Sequence, residues 1–197
     1  STTSLLMDEL LKKSKVNWVD IENTYFELLR LIVQTKDANG KIKHKDSIVD
    51  INNELSHITF YLKEYLSGLD IDIDNSVTSR YMKHFNDELD IDDFLEFDSS
   101  KQESTLGLNY FLNFNYTDSL TRLLINNKKY HYLQNHIHGD LIDSEIIFGF
   151  GDEMDSIYKQ IEELNDNRYF EHIKSFHYFK TPNQRRLQTF LKSGFYQ

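Results

Sequence analysis

The side chains best suited to chemistry lie in three short polar clusters: Asn113-Phe-Asn-Tyr-Thr117, His136-Ile-His-Gly-Asp140 and Phe148-Gly-Phe-Gly-Asp-Glu153. Each follows or breaks an apolar run, where a strand would end. Amide, imidazole and carboxylate groups orient polar substrates, move protons and hold sugars or metals. Open α/β sheets bind ligands at the carboxyl ends of their strands. Three such ends therefore point to one convergent site. Taken singly, each cluster has a plainer reading: Asn115 as a helix cap, His138 as a core imidazole bonded to backbone, and Gly149 to Asp152 as a tight turn with Asp152 as N-cap. Their joint occurrence carries the expectation. His136, His138, Asp140 and Asp152 also offer nitrogen and oxygen ligands for a metal, although the two imidazoles point the same way only in extended chain.

Glu22 is a separate signal. It falls in the stripe Val19, Glu22, Phe26, Leu29, Val33, whose other members are apolar and spaced by three or four residues. A carboxylate there is either buried or at the edge of a cleft, and burial is costly unless the group is paired or protonated. The alternatives are a functional acid and a structural partner of a helix N-terminus or of an arginine such as Arg80.

The elements that would position these groups follow from hydrophobic period. Trp18, Ile21, Tyr25, Leu28 and Ile32 form one helical stripe, and Ile48, Ile51, Leu55, Ile58, Leu62 and Tyr65 form another. Asp37-Ala-Asn-Gly40 is turn chemistry between them, Gly68 a helix stop, and about 77–89 a shorter helix. The acidic stretch Asp70 to Asp74 lacks the central Gly and closing Glu of a calcium loop and reads as solvated loop, as does Asp90 to Ser104. Leu108 to Phe114, His131 to His138 and Glu145 to Phe148 suit strands. Thr117 to Asn127 reads as a helix, and further helices are expected from about Asp152, around Tyr169 and after Pro182. The order strand, helix, strand predicts a mainly parallel sheet with helical crossovers. The fold class is thus helix-rich α/β, with a helical part over 1–105 and an α/β part over 108–197, together one structural domain.

Composition narrows the classes. The 197 residues carry a net charge of −10, which argues against a non-specific nucleic-acid binder, since that needs a cationic face. Lys180, Arg185 and Arg186 form a local basic patch that reads as a solvated helix face. With no cysteine, disulfides and thiolate chemistry are excluded. No apolar run approaches membrane-spanning length. These features suit a cytoplasmic protein with no membrane partner.

The sequence resembles the AbiH family of abortive-infection phage-defence proteins. The matching segments are NWVDIENTYFELL from Asn17, INNELSHITFYLKEYL from Ile51, FLNFNYTDSL from Phe111, HIHGDL from His136 and IIFGFGDE from Ile146. The resemblance implies an anti-phage effector, and an internal stretch lacking both family ends. A glycine turn suited to phosphate would precede Ser1, and a strand ending in Gly-His-Ser would follow Gln197. The family is similar, more distantly, to sirtuin-like NAD-consuming domains with Rossmann-like crossovers. That likeness implies catalytic roles for Asn115, orienting a ribose or a water, and for His138, as general base. It pairs Tyr116 with Asn115 and Gly139 with His138 at the substrate, and Gly149, Gly151, Asp152, Glu153 and Glu22 are added as substrate-binding candidates from the strand-end and helix-stripe readings. NAD is the substrate so implied, and no metal is required. The alternatives are a metal-dependent phosphoesterase or nuclease, and a non-catalytic interaction module whose polar clusters only cap helices and shape turns.

Overall fold

The long helices begin where side chains can satisfy the free N–H groups of a first turn. In the computed structural model, which describes residues 4–13, 17–70, 73–86, 109–125, 132–142, 145–151 and 156–193, Ser4 caps α1 (Leu5–Leu11) by accepting from Met7 N. Asn17 and Asp20 form a reciprocal capping box on α2 (Trp18–Gln34), with both bonds at 3.0 Å. The turn after α2 closes through Asp37, whose Oδ1 accepts from Asn39 N and Lys41 N. Gly40 takes a positive φ of 74° there. The chain then enters α3 (Ser47–Ser67) and α4 (Asn75–Asn86).

The second half holds β1 (Asn109–Asn113), α5 (Ser119–Leu124) and β2 (Tyr132–His136), followed by α6 (Ser156–Leu164), a 3-10 turn at Asn167–Phe170, α7 (Lys174–Lys180) and α8 (Asn183–Lys192). The two strands are parallel and in register from Asn109 opposite Tyr132 to Asn113 opposite His136. Helix-rich α/β is therefore the observed class, with a two-stranded parallel sheet among the described residues.

Several expectations need correction. Glu145 to Phe148 is not a ladder strand. Ile147 N donates to the His138 carbonyl at 2.7 Å, and then Phe150 turns away to bridge Ile173. Gly149 makes that departure possible. Its φ is +156°, and a Cβ there would lie 2.1 Å from the His172 carbonyl oxygen. The helix expected around Tyr169 is the short 3-10 turn, while α7 was not foreseen. Its sequence, KSFHYFK, is short and aromatic, with no polar N-cap to announce it. Val19 is 61% exposed, so the stripe facing the core on α2 begins at Ile21 rather than Val19. The helix expected from Thr117 starts at Ser119 behind Asp118, so Asn115 is not its cap. The 90–104 loop lies outside the described residues.

One buried cluster draws on both halves of the chain. Tyr25, Phe26 and Leu29 of α2 and Ile51 and Leu55 of α3 join Phe148, Ile161 and Ile173. Phe26 stacks flat on Phe150 at 3.6 Å between centroids. Asn52 is the polar stitch in this core. It is 2% exposed; its Oδ1 accepts from Tyr25 Oη, and its Nδ2 donates to the Arg168 carbonyl and to Glu171 Oε2, each at 2.8 Å. Asn52→Ala leaves the Tyr25 hydroxyl and the Arg168 carbonyl without that partner. It should cost about 2–4 kcal/mol of unfolding free energy, read from urea denaturation; a loss under about 0.5 kcal/mol would contradict this role.

Candidate functional site

Parallel pairing sets Asn113 and His136 side by side at one sheet edge, and the polar clusters continue from there. Asn113 Oδ1 accepts from Asn115 N at 2.9 Å, the Asx turn that bends the chain past β1. His136 Nδ1 lies 2.9 Å from the Asn115 carbonyl; a carbonyl only accepts, so Nδ1 carries the proton. Beyond β2, Gly139 with φ +83° closes a turn through its N–H to the His136 carbonyl. That turn holds His138 against the 145–148 segment, and Tyr116 Oη donates to the Ile147 carbonyl at 3.0 Å.

His138 is half-buried. Its ring meets Phe114 edge-on at 5.5 Å and lies 6.0 Å from Tyr178 and 6.4 Å from Tyr116. Burial, and after it the positive charge of Lys174, lowers the imidazole pKa below the ordinary histidine value. His138 is therefore neutral at physiological pH. Burial raises Tyr116 and Tyr178, and the negative charge of Glu22 adds to both shifts. Tyr116, Tyr178, Glu22 and Lys174 thus form one electrostatic neighbourhood around His138.

Glu22 ties this neighbourhood to α2. Its Oε1 accepts from Gly149 N at 3.1 Å, and Lys174 Nζ lies 2.8 Å from Oε1 and 3.0 Å from Oε2. The two side chains are only 14% and 18% exposed, so the pair is largely desolvated. The cation is Lys174 of α7, not the Arg80 considered from the sequence.

Two cavities open along this edge and share Tyr116 and Leu66 as a common wall. The smaller, about 310 Å³, is lined by Glu22, Phe114, Asn115, Phe148 and Lys174 among others. The larger, about 600 Å³, presents Asp118, Arg122, His136 and Asp140. Both lie in the size range of small-molecule sites.

The structure thus brings Asn115, Tyr116, His138, Gly149 and Glu22 together. Gly139 shapes the turn behind His138, and Gly151 is exposed beside the Lys174 side chain. Asp152 and Glu153 lie outside the described residues. Among the described residues no group of three or more His, Asp or Glu side chains is gathered as a metal site would need. His136 and His138 part company because β2 ends at His136. Lys174, Tyr178, Asp118 and Arg122 were not anticipated. Lys174 stands 152 positions from Glu22, beyond the reach of any local spacing rule. Asp118 and Arg122 could have been found as a helical i, i+4 pair, and their ion pair is 2.9 Å long.

The architecture is that of a helix-rich α/β protein with a polar site at the carboxyl edge of a parallel strand pair. The family model described as "Bacteriophage abortive infection AbiH" matches residues 2–191, and the chain belongs to that family. Membership implies a role in bacteriophage abortive infection. No curated protein and no solved structure matches the chain significantly. Among the described residues no helix is long and apolar enough to cross a membrane.

Two outcomes follow from the geometry. Glu22→Ala strands the Lys174 ammonium and the Gly149 N–H in a largely buried setting. It should cost about 2–4 kcal/mol in chemical denaturation, whereas an effect near zero would mean the bridge is solvated. The second concerns acid. His138 and His172 both have folded pKa values lowered by burial, so the unfolded chain takes up their protons first. Their contribution to stability is present above the unfolded value of about 6.5 and is lost as pH falls through the folded values. Melting temperature should drop as pH falls below about 6.5, and His138→Gln should make that drop shallower. An unchanged slope in the variant would show that His138 is solvated.

Proposed function

We propose that the chain is an abortive-infection effector that binds and hydrolyses a nucleotide such as NAD in the paired cavities at the carboxyl edge of β1 and β2. The observation that carries this reading is the meeting of Asn115, Tyr116 and His138 from two adjacent parallel strand ends, beside two cavities that share Tyr116 as a wall, with Asn115 lining the smaller. Parallel strands joined through a connection that holds α5 are the unit that Rossmann and sirtuin-like folds repeat, and the reading extends that likeness to the chemistry.

Each group then has a task. Asn115, exposed on the smaller cavity, orients the ribose or the attacking water. Lys174 and Arg122 line the two cavities, where phosphate oxygens would share them with their carboxylate partners Glu22 and Asp118. His138 sits behind Phe114 and Tyr116, which both line the smaller cavity, and serves as general base. In the hydrolysis the glycosidic C–N bond breaks with its electron pair leaving on the nicotinamide. Water adds to the oxocarbenium-like carbon, and His138 takes the water proton. In this reading the protein works in the cytoplasm, where NAD is available, and binds neither bulk nucleic acid nor membrane.

The test compares the intact protein with its His138→Ala variant in phage-challenged cells, following NAD level and survival of the culture. Loss of the base should cut turnover by about a hundred- to ten-thousand-fold and abolish protection, with the fold retained by circular dichroism. Full protection from a well-folded His138→Ala protein would end this assignment. Stoichiometric metal in the purified protein, lost together with activity in His136→Ala, would favour a metal-dependent phosphoesterase instead.

A further inference from the structure

The last pair of the parallel ladder, Asn113 opposite His136, converges on a single residue. Asn113 Oδ1 accepts from the Asn115 N–H, and the Asn115 carbonyl accepts from His136 Nδ1, each at 2.9 Å. The backbone of Asn115 is thus held from both strand ends where it lines the smaller cavity. The ring that supplies one of these bonds is itself held. A neutral imidazole has one donor and one acceptor. The Asn115 carbonyl takes the donor at Nδ1, so Nε2 is left as the acceptor. Strand period puts Gln134 on the same face of β2 as His136, and the Gln134 amide nitrogen donates to His136 Nε2. An amide turned over would set its oxygen against the ring lone pair. Gln134 Oε1 in turn accepts from the Thr121 hydroxyl of α5 at 3.1 Å. From Thr121 through Gln134 and His136 to the Asn115 carbonyl, each bond runs donor to acceptor in one direction. Thr121 and His136 line the larger cavity and Asn115 the smaller, so these bonds reach from one to the other.

We propose that His136 is a positioning residue for Asn115, locked in its Nδ1–H tautomer by Gln134 and Thr121. His136 acts through the Asn115 backbone rather than on the reacting atoms. The role of Asn115 toward a substrate rests on the nucleotide reading above, whereas its placement by His136 does not. With the ring removed, Asn115 keeps only the bond to Asn113. A misplacement of about 1 Å at a substrate-orienting group can cost about a hundredfold in rate. An asparagine at position 136 would set an amide N–H close to where Nδ1–H stood, with no ring and no titration.

Long-range 1H–15N NMR of the intact protein reads the ring directly. At about pH 8 the His136 ring should carry its proton on Nδ1, and Gln134→Leu should shift it toward the Nε2–H form that histidines in water prefer. The Tyr116 amide nitrogen is bonded to the Asn115 carbonyl carbon. Its shift should move in His136→Ala and return toward the wild-type value in His136→Asn. With NAD as substrate, His136→Ala should lower kcat about ten- to a hundredfold while KM changes less than about threefold. His136→Asn should recover most of that loss. A wild-type ring protonated on Nε2, a tautomer indifferent to Gln134→Leu, or a Tyr116 amide unmoved in His136→Ala would each overturn the inference. So would a folded His136→Ala protein with wild-type kcat, or a His136→Asn protein as impaired as His136→Ala. A wild-type protein that turns over no NAD would count against the nucleotide reading instead, and the ring and amide shifts would still decide the positioning.

Discussion

The contact on which the rest depends is the one between Glu22, Lys174 and the Gly149 N–H. It joins three parts of the chain that no local rule brings together: the second helix, the glycine turn after the 145–148 segment and the first turn of α7. A carboxylate this far from water survives only with charge and donors supplied, and here it has both. Its consequence is positional. Gly149 can accept no side chain because the His172 carbonyl occupies that space. With the turn so placed, Ile147 is held to His138 on one side and to the Tyr116 hydroxyl on the other. The cavity wall and the imidazole are thereby fixed from the same anchor.

Electrostatics and packing act together around that anchor. The net charge of the chain is strongly negative, yet the smaller cavity holds the Lys174 ammonium, whose positive charge reaches the nearby His138 imidazole. Aromatic faces from Phe114, Tyr116 and Tyr178 keep the imidazole half out of water. Burial disfavours the imidazolium, and the nearby cation disfavours it further. The same fold that buries a core for stability thus lowers the pKa of a half-buried imidazole.

The helical half was legible because amphipathic period survives in the sequence of α2 and α3, and turn chemistry marked Asp37 to Gly40. Two of the three expected strand ends, at Asn113 and His136, were legible because apolar runs there stop at an amide and an imidazole. What escaped was set at long range. The apolar run at 145–148 looks like a strand, but its backbone leaves the ladder after one bond because Phe150 pairs with Ile173. Helix α7 hides in an aromatic heptapeptide, and with it went the partner of Glu22. The phase of α2 was read correctly from Glu22 onward, with Phe26, Leu29 and Val33 buried, and only Val19 in the first turn fits the spacing yet faces solvent. Spacing reports a period, and tertiary contacts decide where the buried stripe begins.

The central claim is that His138, Lys174 and Glu22 share one partly buried site. Histidine side-chain NMR tests it directly, by following the His138 titration in the wild-type protein and in Lys174→Met. The account predicts a wild-type midpoint below the ordinary value of about 6.5. It also predicts an upward move in the variant, because losing the cation and leaving the Glu22 carboxylate uncompensated both favour the imidazolium. A His138 that titrates at the ordinary value and ignores the Lys174 substitution would contradict it.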